Sequence, residues 1–182
     1  MAGIGKLPAR IATALTVSLT CLLATPPAPA SARAEDLSYT YEIETEMPAS
    51  RVNSYSSYVI MSEVRANFTR YFPFRSNCLS LPWPQTGNVC NLYHPDPYPN
   101  PVLLLYINGS NFAFKSLPGH FEGADRFIRF TLFKGQFYPN RLYLRVEAWG
   151  PYTPQAHATI TSGLAYQYWS QFALNIGSRA FA

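Results

Sequence analysis

Charge is scarce in this chain: Asp, Glu, Lys and Arg make up 13% of its 182 residues. The formal net charge is +4, too small to support nucleic-acid binding by charge alone. There is no G-x-S-x-G elbow, no P-loop, no H-E-x-x-H and no G-x-G-x-x-G. Their absence removes the usual serine-hydrolase, nucleotide-hydrolase, zinc-protease and dinucleotide signatures. With three cysteines and three histidines, and no His at ligand spacing from a cysteine pair, no metal site is expected. No other cofactor is expected either. No apolar run reaches the roughly 20 residues that a spanning helix needs, and no internal repeat is visible.

What is present begins with a targeting pattern. Lys6 and Arg10 precede an apolar stretch from Ile11 to Thr25, a Pro/Ala spacer follows, and Ala32-Arg33-Ala34 has the small-x-small form of a cleavage site. Residues 1–34 therefore read as a signal peptide and 35–182 as one secreted domain, extracellular or periplasmic, with no transmembrane segment. Cys21 would leave with the leader, and the domain would be close to neutral. Cys78 and Cys90 then remain in an oxidising compartment, where a bridge between them is the default. Closing a loop of that length is worth roughly 3 kcal/mol in the chain-entropy model.

The aromatic content, 15% of the chain, argues for a packed core and against disorder. Leu37 to Thr45 alternates as a half-buried strand, with Leu37, Tyr39, Tyr41 and Ile43 on one side. Residues 49–68 carry a wide apolar stripe and predict a helix. Seven prolines between 71 and 101 leave no room for long regular structure and predict an irregular loop stapled by the Cys78–Cys90 bridge. Asn108-Gly109 between apolar runs predicts a hairpin. Two further strands are expected over 126–133 and 141–149, and a last helix over 155–176, with Thr153 as its cap and Gly177 ending it. The whole predicts an α+β fold: an antiparallel sheet of about five strands with two main helices packed on it.

Two places offer chemistry. On the outward face of the last strands, Arg129, Arg141 and Arg145 stand near Tyr143 and Trp149. Guanidiniums beside aromatic faces suit an anionic ligand, a glycan or a protein partner. In the loops, His94 with Asp96 and His120 with Glu122 are candidate acid/base pairs. The leading expectation is a secreted, non-catalytic binding or effector protein that uses the aromatic/Arg face and the disulfide loop. The alternatives are a small hydrolase or toxin-type enzyme built on a loop His and a carboxylate, and a subunit or structural component of a secreted complex.

Overall fold

The computed structural model describes residues 36–78, 86–94 and 97–182. The leader and Asp96 lie outside the described residues.

Among the described residues seven strands form one antiparallel sheet, curled into a half-barrel. In chain order they are β1 (Tyr39–Glu44), β2 (Arg75–Ser76), β3 (Val89–Tyr93), β4 (Pro99–Asn108), β5 (Asn111–Ser116), β6 (Phe127–Lys134) and β7 (Leu142–Trp149). Their order across the sheet is β1-β7-β6-β5-β4-β3-β2. Among the described residues five helices complete the fold: α1 (Ala49–Ser54), α2 (Ser57–Ala66), α3 (Phe68–Tyr71), α4 (Pro154–Thr161) and α5 (Leu164–Arg179). The α+β class holds, but the expectation of about five strands is corrected to seven.

The two strands added are β2 and β3, inside the stretch read as irregular. Val89-Cys90-Asn91-Leu92-Tyr93 is a proline-free run, enough for a short strand. Pro99 and Pro101 pair with Tyr93 and Asn91, whereas pairing of β4 to β5 starts at Val102. Both prolines thus fall where β4 has a strand on one side alone, so their missing N–H groups interrupt no second ladder. Cys78 and Cys90 are joined there, with Cα atoms 4.6 Å apart.

The helices are shorter than expected. Residues 49–68 do not form one helix, because Ser56 takes a cap conformation and its Oγ accepts from the Val59 N–H at 3.2 Å, offering the backbone an alternative to helix continuation. The last helix is likewise divided, at Gly163, whose φ of 76° is left-handed. Thr153 does cap α4, its side chain accepting from the Ala156 N–H. Gly177 does not end α5. It is buried in the helix, and a Cβ there would lie 1.6 Å from the Thr45 carbonyl oxygen, so its missing side chain lets α5 approach the end of β1.

Alternation along the strands sorts the sheet into two faces. Phe112, Phe114, Phe130, Leu132, Leu142, Leu144 and Val146 are buried on the inner face. There the α5 residue Phe172 packs edge-on against Phe68, Phe72 and Phe130. The core is therefore a curled sheet closed by α5 and the short helices.

Candidate ligand cavity

Beyond Phe172, towards the N-terminal part of α5, the sheet and helix do not close completely. A cavity of about 100 Å³ remains between Tyr39 and Ala148 of the first and last strands, Val102 and Phe114 of the middle ones, and Tyr168 and Trp169 of α5. Its walls are mostly aromatic. Trp169 meets Phe130, Phe74 and Phe72 at ring separations of 5.1, 6.0 and 6.1 Å. Phe74 stacks on His94 at 4.5 Å, and Tyr168 meets both rings edge-on. Phe121 also lines the cavity and is 52% exposed, so the space reaches the surface beside it.

Polar side chains gather along the rim. Asn100, 4% exposed, donates to the carbonyls of His94 and Tyr98, and its Oδ1 accepts from the Phe121 N–H at 2.6 Å. Ser116 donates to the Gly123 carbonyl at 2.7 Å and accepts from the Arg126 N–H at 3.0 Å. These two side chains tie the segment between β5 and β6 to the sheet. Arg126 is 5% exposed. Its guanidinium donates to the carbonyls of Pro151, Gly150 and Leu37 at 2.5, 3.3 and 3.4 Å, and its Nε lies 3.9 Å from the Glu122 carboxylate.

Burial shifts the ionisable groups of this rim. The His120 imidazole is pushed down to about 4, by desolvation first and then by the Arg126 charge. At neutral pH it is uncharged, and its Nδ1 accepts from the Glu122 N–H at 3.1 Å, which leaves the ring proton on Nε2. Desolvation raises the Glu122 carboxyl against the opposing pull of Arg126 and a hydrogen bond from Thr159. Burial also raises the Tyr39 phenol, the hydroxyl of which accepts from Trp169 Nε1–H at 2.9 Å. His94 is lowered by desolvation and bonds to the Tyr168 hydroxyl.

The structure thus brings His94, His120 and Glu122 to one cavity. No ion pair or hydrogen bond joins either imidazole to a carboxylate among the described residues; their partners are the Tyr168 hydroxyl and a backbone N–H. Arg129, Arg141, Tyr143, Arg145 and Trp149 stand together on the opposite, outer face. There Arg129 forms two bonds to Glu147 at 2.8 and 2.6 Å, Arg141 bonds Glu44 at 3.0 Å, and Arg145 bonds Glu42 at 2.8 Å. Tyr143 stacks on Phe133 and Trp149 on Phe127, each at 5.6 Å. Each of these three guanidiniums already has a carboxylate beside it. Sequence reasoning missed Tyr39, Phe74, Asn100, Ser116, Arg126, Tyr168 and Trp169 as cavity residues. The inward alternation of β1 could have flagged Tyr39, but nothing local marks the others.

No protein-family model matches this sequence, and no curated protein matches it. Solved structures do. The chain resembles a norcoclaurine synthase point mutant from Thalictrum flavum in complex with a transition state analogue, with a TM-score of 0.55 and 10% identity over 81% of this chain and 95% of that one. It resembles XoxI of Bacillus cereus, with a TM-score of 0.54 and 12% identity over 80% and 95% of the two chains. It also resembles the Aha1 dimer from Colwellia psychrerythraea, with a TM-score of 0.51 and 11% identity over 78% and 98%. At these identities the likeness is one of fold. That fold is the helix-grip arrangement, a curled sheet closed on a long C-terminal helix.

Proposed function

We propose that this chain is a secreted binding protein that holds a small, mainly apolar molecule in the cavity between the sheet and α5. The observation that carries the reading is the cavity itself: aromatic walls and a few fixed polar groups at one end, the usual make-up of a small-molecule site. Its volume is modest beside the roughly 300–1,000 Å³ of drug-sized sites. It suits a single aromatic ring, with the rest of a larger ligand passing out beside Phe121. A structure of the same fold holds a transition state analogue, which supports ligand binding as a use of this architecture. We assign recognition to the inner cavity rather than the outer strand face because the guanidiniums of that face are committed to Glu42, Glu44 and Glu147.

Calorimetric titration of the chain with toluene or naphthalene tests this reading. Saturable one-to-one binding is expected. Ala148→Leu, which fills the space behind the 6%-exposed Ala148, should weaken binding at least tenfold with little loss of thermal stability, because the added methyls occupy a void instead of a packed core. Absence of binding to the wild type, or equal binding to the filled variant, contradicts it.

A second reading is favoured by one observation: a neutral His120 and a Glu122 carboxyl raised by burial share the same cavity wall. Raising the carboxyl moves it towards the range of acid/base work near neutral pH, and an imidazole held neutral can act as a hydrogen-bond donor to a reacting group. This reading requires a turnover that His120→Asn abolishes while binding persists.

A further inference from the structure

Most polar groups around the cavity are fully engaged within the protein. Asn100 and Ser116 use both donor and acceptor, and Arg126 spends its donors on three carbonyls. Two donors are not used. The Tyr39 hydroxyl accepts from Trp169, and its own proton meets no acceptor among the described residues. His120 accepts at Nδ1 and therefore carries a proton on Nε2, for which no described residue provides an acceptor. The Arg126 guanidinium bonds the Leu37 carbonyl and approaches the Glu122 carboxylate, and His120 accepts from the Glu122 N–H, so these groups and Tyr39 share one stretch of the cavity lining, next to the aromatic wall that Trp169 begins.

An acceptor at this stretch would pair with these two donors, whereas an apolar group would cover them and leave them unpaired, so an acceptor is favoured. The acceptor is better neutral than anionic for two reasons. The Arg126 guanidinium is already held by backbone carbonyls, and the Glu122 carboxyl beside it repels a second negative charge whenever it is ionised. From the unused hydroxyl of Tyr39 and imidazole N–H of His120 at the end of an aromatic cavity, we infer that the ligand is a small aromatic carbonyl compound, a ketone or aldehyde. Its ring lies among Phe74, Phe130 and Trp169, and its oxygen accepts from Tyr39 and His120. This inference rests on the cavity being a binding site.

The test compares acetophenone with α-methylstyrene, in which a methylene group replaces the carbonyl oxygen, and with benzoate, all titrated calorimetrically into the full chain at pH 7. Tyr39→Phe should weaken acetophenone about tenfold, the effect of one buried hydrogen bond, and leave α-methylstyrene within about twofold. Benzoate should bind more weakly than acetophenone. Infrared spectra of acetophenone bound to the unaltered protein should show the carbonyl stretch shifted down from its position in hexane, a readout that needs no variant. Equal losses for the two neutral probes, tighter binding of benzoate, or an unshifted carbonyl stretch overturns the inference and leaves cavity binding standing. Failure of all three probes to bind at ~1 mM, an affinity of about 4 kcal/mol, overturns the cavity reading and this inference together.

Discussion

His120 shows how one side chain couples the cavity to stability. Its imidazole ionises near 6.5 when solvated and near 4 in the fold, so the unfolded chain binds a proton that the folded chain refuses. A group depressed in this way contributes stability that is complete above its unfolded value and is lost as pH falls through the folded one. The window is therefore from about pH 6.5 down to about pH 4, with a slope of at most about 1.4 kcal/mol per pH unit. His94, lowered by desolvation, adds in the same sense. Glu122 acts oppositely: its raised carboxyl gives stability that is present below its unfolded value and lost as pH rises through its folded one. Subtracting one variant from the wild type isolates the histidine. In urea unfolding, the stability of wild type relative to His120→Asn should fall as the pH is lowered from 6.5 to 4. A pH-independent difference would show that the imidazole is not held neutral by burial. As residues, His120 and Glu122 were legible in the sequence, because a His and a carboxylate two apart in a loop stand out. Their partners were not: the oxygens that hold Arg126 belong to Leu37, Gly150 and Pro151, and no local pattern announces a backbone carbonyl from a distant segment.

At the scale of elements, alternation and turn chemistry served well where a segment's own residues decide its conformation. β1 and β7 lie close to where their period-two patterns placed them, and β6 lies within one residue of its expected bounds. The hairpin between β4 and β5 forms as well, although Asn108 pairs with Asn111 and the turn centres on Gly109 and Ser110, one residue later than expected. Gly109, with φ +53°, takes the first central position, where primed hairpin turns favour glycine. Reading failed where a contact from elsewhere decides. Gly177 looked like a helix terminator, yet it is a point of close approach between α5 and the carbonyl of Thr45. Gly177→Ala keeps helical dihedrals accessible and adds one methyl group, so it separates the two roles. If the glycine merely ended a helix, alanine would stabilise by a few tenths of a kcal/mol to about 1 kcal/mol. Because the new Cβ would meet a backbone oxygen, we expect destabilisation of about 3 kcal/mol or more. Chemical denaturation of the pair measures the sign directly.

For the molecule as a whole, the α+β class and the cysteine pairing followed from composition and patterning, but the closure of the sheet did not. The short β2 and β3 hide among prolines, and without them the sheet looks like a five-stranded layer with an outer face to present. The folded sheet has seven strands among the described residues and is curled, and its most specialised surface turns inward, to Tyr39, Phe74, Phe130, Tyr168 and Trp169. The outer face is a lattice of ion pairs and stacked rings that satisfy one another. Among the described residues no helix is long and apolar enough to cross a membrane, and no cluster of His, Cys, Asp and Glu could hold a metal ion. The central claim is therefore about which face of the sheet meets a ligand. The two faces each carry a tryptophan: Trp169 inside, with its indole N–H on Tyr39, and Trp149 outside, stacked on Phe127. Their side-chain N–H resonances in a proton–nitrogen correlation spectrum, followed as toluene is added, measure the choice directly. The account predicts a saturable shift of the Trp169 resonance while that of Trp149 stays in place. A shift of Trp149 with Trp169 unmoved, or no shift of either, would contradict it.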